Sequence, residues 1–199
     1  MTLNRAKTIE IIFTDGKSRR QVNTPPTLPG IQRATSLKIL GVTVTNKLSI
    51  SDHVSNVIRA CAQSLHAIRV LRCHGMCNSA LQTIYRAVIV SKLFYASSAW
   101  WGFTTAADRQ RLSAFLRRGV RAGLYGADDS SVTQIVDDAD NKLFQDILLN
   151  PQHTLHQLLP KQTTHQHQLR PRRHDRQLLC KSKFDDSNFI NRLLFKDCY

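Results

Sequence analysis

The sequence predicts an α+β fold, in which a short antiparallel β segment at the N-terminus is followed by a mainly α-helical basic bundle and a weakly ordered tail. Three observations predict it. Apolar residues alternate before residue 50, they recur at intervals of three and four between residues 51 and 126, and a polar stretch rich in His and Gln follows residue 160. With 199 residues and 42% hydrophobic composition, the chain has enough apolar material for one domain with a core.

The first strand is predicted at residues 8–13, where apolar side chains occupy alternate positions. The alternating positions are Ile9, Ile11 and Phe13. Asp15-Gly16 follows and predicts a tight hairpin turn, because glycine adopts positive φ without a steric cost. Residues 19–23 are then the predicted return strand.

A further strand is predicted at residues 37–44, which are apolar and rich in β-branched side chains. Gly41 lies inside this run and predicts a bulge or a close backbone approach. Three short strands do not form a stable domain on their own. We therefore expect residues 1–50 to pack against a neighbour.

Residues 51–126 are predicted to form a bundle of three helices. The first begins with Ser51 or Asp52 as its N-cap and ends before Gly75. The second runs from about Asn78 to Trp101 and is apolar nearly all round, which is typical of a helix buried between others. The third, residues 105–122, has one apolar face. Trp100 and Trp101 are interpreted as packing residues at a helix end.

The remaining residues are divided by charge. Residues 127–150 contain six Asp and one Lys, and are predicted to be an acidic linker with short helices near residues 132–136 and 143–148. Residues 151–199 form a basic C-terminal tail. Within it, residues 161–183 are predicted to be extended or poorly ordered, and residues 188–199 to dock as a terminal helix.

Charge is the strongest functional signal. The chain has 28 Lys and Arg against 14 Asp and Glu, a formal net charge of +14, which favours a polyanionic partner. Between Ser55 and Tyr125 there are ten basic residues and a single acid, Asp108. The third helix presents five arginines that we predict to contact nucleic-acid phosphates. They are Arg109, Arg111, Arg117, Arg118 and Arg121. A merely solvated helix face is the alternative interpretation.

No metal site is predicted. Asp128-Asp129 is similar to the carboxylate pair of nucleotide polymerases, but it lacks flanking apolar strands and is interpreted as a helix-capping turn. Cys73 and Cys77 have no second pair of ligands with zinc spacing. The absence of a secretory leader and the odd cysteine number predict an intracellular protein. The most apolar stretch, residues 80–103, carries two basic residues, so no membrane span is predicted.

Several short motifs lie in a fixed order along the chain. They comprise Asn4, Lys7 and Thr8 before the apolar residues 9–13; Leu40-Gly41-Val42 with Leu48 and His53; residues 95–102; residues 117–122; residues 150–156 and 169–175; and residues 188–199. Their order and spacing resemble the end of the palm, the thumb and the C-terminal tail of non-LTR (LINE-type, jockey-like) retrotransposon reverse transcriptases. The resemblance spans nearly the whole chain.

The resemblance implies specific roles. Lys7 would lie near the phosphates of an incoming nucleotide, and Leu40, Gly41 and Val42 would form part of a primer grip. Residues 1–50 would be the edge of the palm and residues 51–126 a thumb that holds an RNA or RNA–DNA template–primer duplex.

The resemblance also implies what this chain lacks. In full-length relatives the catalytic aspartates, the fingers and the endonuclease domain lie upstream, so Mg²⁺ is implied only for the full-length parent. We therefore expect this chain alone to be an inactive fragment of an RNA-directed DNA polymerase, with the upstream palm and fingers as possible partners. A stand-alone basic helical RNA-binding module without catalytic ancestry is the alternative.

Overall fold

The α+β class is confirmed by a computed structural model that describes residues 4–14, 24–163, 174–178 and 186–196. Short strands precede residue 46, and helices form most of the remainder of this described part. The main hydrophobic core lies among the helices. Of its buried residues, Val42 and Ile50 alone precede the first long helix.

The strands form two separate pairs. β1 (Ile9–Glu10) pairs in parallel with β2 (Gln32–Arg33), and β3 (Ser36–Ile39) pairs antiparallel with β4 (Val42–Thr45). Within the described residues, the strand predicted at residues 8–13 is limited to Ile9–Glu10, and its partner is the parallel β2. The predicted turn at Asp15-Gly16 and the return strand at 19–23 lie outside the residues described.

A tight hairpin replaces the single strand predicted for residues 37–44. Leu40 and Gly41 form the turn between β3 and β4, with φ of +47° and +91°. Positive φ at both central residues is the geometry of a two-residue hairpin turn, whose twist matches that of the strands it joins. Gly41 thus marks a chain reversal and not a bulge.

The first predicted helix is present as α1 (Ser51–Cys73). It ends, as expected, just before Gly75, which has a φ of +87°. Ile50 occupies the N-cap position, and its side chain is buried. Ser51, which was a candidate cap, instead points its hydroxyl at another helix.

The predicted second helix is interrupted. α2 (Asn78–Ile84) continues through a π-helical segment (Tyr85–Val90) into α3 (Ser91–Leu93), and the chain then turns before α4 (Ser97–Trp100) and a 3₁₀ turn (Trp101–Phe103). Ala96 breaks the helix with a φ of +51°. The break allows both Trp100 and Trp101 to be buried, as the sequence predicted for these two side chains.

The predicted acidic linker is wrong, because residues 132–149 form one helix, α6 (Val132–Leu149), which follows α5 (Ala106–Arg121). Five residues of α6, spaced at intervals of three or four, are buried in a single stripe. They are Val132, Val136, Asp140, Phe144 and Ile147. Of the aspartates that suggested a linker, Asp140 belongs to this stripe, Asp137, Asp138 and Asp146 lie elsewhere on α6, and Asp128 and Asp129 precede the helix.

The C-terminal residues pack on α6, which confirms the predicted terminal helix. α7 (Phe189–Leu194) buries Leu193 and Leu194 against Phe144 in a second small core. Arg192 donates a hydrogen bond from Nη1 to Oδ2 of the buried Asp140 over 2.5 Å. Of the predicted extended stretch, residues 164–173 and 179–183 lie outside the described part.

Within the described ranges, no helix combines the length and the apolar content needed to cross a membrane.

Candidate nucleic-acid interface

The arginine-bearing helix α5 is fixed at its start by a reciprocal cap. Thr105 accepts a hydrogen bond from the backbone N–H of Asp108 (3.1 Å), and Oδ2 of Asp108 accepts one from the backbone N–H of Thr105 (3.2 Å). Ser51 of α1 also donates to Oδ2 of Asp108, over 2.8 Å. The cap of α5 is therefore also an attachment of α5 to α1.

Two of the five predicted arginines are held by the protein itself. The guanidinium of Arg109 lies 4.9 Å from the ring centroid of Trp101, and its Nε–H donates to Thr104. Arg111 donates from Nη2 to the hydroxyl of Ser55 over 3.0 Å. Both lie at the edges of the exposed face of α5 and not at its centre.

The other three arginines, Arg117, Arg118 and Arg121, are exposed on the outer side of α5. In the described part of the chain, no hydrogen bond or ion pair joins the side chain of any of them to another residue. Arg117 and Arg121 are four residues apart and therefore lie one above the other, and like charges at this spacing repel. A polyanion would relieve that repulsion.

The helices α1 and α5 run side by side in the same direction. Near their starts, Arg111 of α5 contacts Ser55 of α1. At their ends, Nη1 of Arg72 in α1 donates over 2.8 Å to the carbonyl oxygen of Ala122, which follows α5. The two contacts define the flank that each helix turns toward the other.

Further basic residues follow along these flanks. Arg59, His66 and Arg69 lie 4, 11 and 14 residues after Ser55, spacings that return to the same side of a helix. Arg118 lies 7 residues after Arg111 on the matching flank of α5. All five basic side chains are exposed. We call the surface formed by Arg59, His66, Arg69, Arg111 and Arg118 the α1–α5 basic groove.

The acid nearest this groove in the chain is removed from the surface. Asp108 is buried, with 2% of its area exposed. Burial opposes ionisation of its carboxyl, but hydrogen bonds from Thr105 and Ser51 outweigh burial, so the pKa of Asp108 lies below its usual value. Its carboxylate joins α1 to α5 through Ser51, and its Oδ1 also pairs with Nη1 of Arg111 over 3.5 Å.

Arg59, His66 and Arg69 were not among the predicted site residues. The sequence signal that could have found them is their recurrence on one side of α1. The recurrence indicates a shared basic surface only once the contact between Ser55 and Arg111 shows which side of α1 faces α5.

The residues singled out by the resemblance lie in the β region. Lys7 is exposed in a 3₁₀ turn (Arg5–Lys7). Leu40 and Gly41 are exposed at the tip of the β3–β4 hairpin, whereas Val42 is buried. They do not form part of the α1–α5 basic groove.

The Asp128-Asp129 pair does not fit a divalent cation. Oδ2 of Asp129 accepts a hydrogen bond from the backbone N–H of Gly126 and pairs with Nη2 of Arg86, each over 2.7 Å. These partners hold the pKa of Asp129 below its usual value. The carboxylate therefore closes the turn between α5 and α6, while Ser131 caps α6.

Other possible ligands are also dispersed. Cys73 and Cys77 are exposed free thiols at the junction of α1 and α2. Among the described residues, no three His, Cys, Asp or Glu side chains converge in a way that could hold a metal ion.

Comparison with known proteins gives no match to a family model, to a curated protein or to a solved structure.

Proposed function

We propose that this chain binds a nucleic-acid duplex through phosphate contacts in the α1–α5 basic groove, as the C-terminal, thumb-containing part of a non-LTR retrotransposon reverse transcriptase. The observation that carries the binding proposal is the alignment of exposed basic side chains on two adjacent, parallel helices. The reverse-transcriptase parentage is supported by the order of sequence motifs alone.

The chemistry of the groove favours contacts with the phosphate backbone. Guanidinium groups donate planar pairs of hydrogen bonds to phosphate oxygens and need no particular base sequence. The five groove residues include no aromatic side chain other than His66. Single-strand binding proteins instead rely on exposed aromatic platforms for base stacking. We therefore propose binding to a template–primer duplex with little dependence on sequence.

The binding proposal is tested by removing groove charges. Arg59→Gln combined with Arg118→Gln should weaken binding to a labelled 20-base-pair RNA–DNA hybrid at least tenfold, measured by fluorescence anisotropy. The matched control is Lys142→Gln with Lys161→Gln, two exposed cations outside the groove. Equal loss in both double variants would mean that overall charge, and not the groove, attracts the duplex.

The alternative function, a stand-alone RNA-binding module, rests on the same groove. The two functions differ in the nucleic acid that the chain should prefer and in whether it should assist a polymerase partner. A reverse-transcriptase thumb should bind an RNA–DNA hybrid at least as tightly as duplex RNA, and a purified palm-and-fingers segment of a related element should gain primer extension when this chain is added. An isolated RNA-binding module should do neither.

A further inference from the structure

An apolar groove lies between the β3–β4 hairpin and residues 95–103, separate from the residues of the α1–α5 basic groove. Its volume is about 410 Å³. Ile39, Leu40 and Val42 of the hairpin line one side, and Tyr95 and Phe103 line the other. We call it the hairpin groove.

The hairpin groove exposes an unusual amount of apolar side chain. Leu40 is 87% exposed, Tyr95 58%, Ile39 51% and Phe13 49%, and all four line the groove. Single exposed apolar residues are common on protein surfaces, but a contiguous set around a concavity is typical of an interaction site.

Backbone strain is concentrated around the same groove. Leu40, Leu48 and Ala96 have φ of +47°, +57° and +51°, and they are the non-glycine residues with positive φ in the described part of the chain. All three line the hairpin groove. Side chains with a Cβ rarely adopt this conformation, and such residues cluster at ligand clamps and switch regions.

The surroundings of the groove are cationic. An adjoining cleft shares Tyr95 and is lined by Lys92 and His53, and no acidic residue among those that the structure describes lines either concavity. Lys47 precedes Leu48, which lines the groove, at the end of the hairpin. Lys47 and Lys92 are both exposed. The apolar surface is therefore bordered by positive charge.

The apolar lining and the cationic border together determine which kind of partner fits the hairpin groove. A second copy of the chain would bring another formal charge of +14 against the cationic border. Residues 15–23, which follow Phe13, contain one apolar side chain, Val22, so their composition does not match the groove. A partner that is apolar on one side and acidic on the other complements both features.

We propose that the hairpin groove docks an acidic amphipathic helix of a partner protein. Apolar side chains at positions i, i+3 or i+4, and i+7 of that helix insert between Leu40 and Tyr95. Its carboxylates pair with Lys47 and Lys92. This inference does not rest on phosphate binding by the α1–α5 basic groove, because it uses a different surface.

The test uses the full chain and a labelled 18-residue peptide with Leu at the inserted positions and Glu elsewhere. Leu40→Asn should weaken peptide binding at least tenfold in fluorescence anisotropy, because the most exposed apolar contact is lost. Asn is among the residues that tolerate positive φ best, so the hairpin should still form and the unfolding midpoint should not fall. Leu149→Asn, which removes a leucine 79% exposed outside the groove, should leave binding unchanged.

Other occupants give different results. Equal peptide binding by the wild type and Leu40→Asn would overturn the proposal, and so would equal binding of a peptide with Lys in place of Glu. A dimer in sedimentation that Leu40→Asn dissociates would identify a second copy as the occupant. Loss of RNA–DNA hybrid binding in Leu40→Asn, without peptide binding by the wild type, would assign the groove to nucleic acid.

Discussion

The β region and the helical region of this protein differ in how completely they bury their apolar residues. The helices contribute almost all of the main core, including Trp100, Phe115 and Leu112, each at most 1% exposed. In the β region, Ile39 and Leu40 remain 51% and 87% exposed. The helical region therefore supplies its own stability, whereas the β region is held at one edge of it and leaves an apolar surface open.

The charged residues differ in the same way. In the helical region, the acid Asp108 is used internally and the arginines of the α1–α5 basic groove face outward. In the β region, Arg33 is paired with Glu10 over 2.9 Å. This contrast supports the proposed phosphate binding by the helical region and the proposed apolar docking by the β region.

The largest expected effect comes from truncating core side chains in the two regions. Leu112→Ala removes a fully buried side chain and should lower the free energy of unfolding by about 2–5 kcal/mol. Ile39→Ala in β3 should cost less than about 1 kcal/mol, because half of that side chain is already in water. Urea unfolding measures both values. Similar losses would show that the β region is as integral to the core as the helices.

A tight contact inside the helical region gives the second prediction. A Cβ at Gly119 would lie 2.1 Å from the hydroxyl oxygen of Tyr85, a buried group without a hydrogen-bond partner among the described residues. Gly119→Ala should therefore destabilise the protein by about 2 kcal/mol despite the higher helix propensity of alanine. Adding Tyr85→Phe removes that oxygen and should restore part of the loss in urea unfolding. A stabilised Gly119→Ala protein would contradict the close packing of α5 on the π-helical segment.

The third prediction concerns Asp108, whose hydrogen bond with Ser51 joins α1 to α5. Asp108→Asn removes the carboxylate that accepts hydrogen bonds from Ser51 and Thr105, and should cost about 1–2 kcal/mol at pH 7. Because the folded-state pKa of Asp108 is lowered, its contribution is present above the unfolded-state pKa and is lost as pH falls through the acidic range. The free energies of unfolding of the variant and the wild type should therefore become similar as the pH falls. The exposed Asp138→Asn serves as the control.

The smallest expected effect concerns the junction of the two regions. Nδ1 of His53, at the start of α1, accepts a hydrogen bond from the backbone N–H of Thr43 in β4 over 3.4 Å. Burial, with a smaller contribution from Lys38, lowers the pKa of His53. The unfolded chain therefore binds this proton more readily, and stability should decline modestly as pH falls below about 6.5.

Substitution isolates that contribution. His53→Gln should reduce the decline in thermal unfolding midpoint between pH 7 and pH 5, and the exposed His66→Gln should not. An unchanged pH profile in His53→Gln would mean that His53 does not couple the two regions in this way.

Sequence periodicity was sufficient for some elements. α1 and α5 were predicted nearly to the residue, because each has a continuous apolar face and recognisable end signals. The interruption at Ala96 was not predictable, since positive φ at alanine is imposed by the packing of Trp100 and Trp101. The prediction for α6 was wrong because it relied on the number of aspartates. A charge count does not show that the buried residues of α6 recur on one side of a helix.

The candidate site was predicted only in part. The arginines of α5 can be identified in the sequence. Which of their side chains contact other residues of the protein depends on neighbours such as Trp101 and Ser55. The contribution of α1 depends on which of its sides faces α5. Both are tertiary properties, which a local sequence pattern does not contain.

The most direct test of the phosphate-binding groove is the salt dependence of binding to an RNA–DNA hybrid. Each phosphate contact contributes a slope of roughly −0.9 to the plot of log affinity against log salt concentration, a value established for duplex DNA. The Arg59→Gln, Arg118→Gln double variant should therefore have a slope shallower than the wild type by about 1.8. An unchanged slope would contradict phosphate binding by the groove.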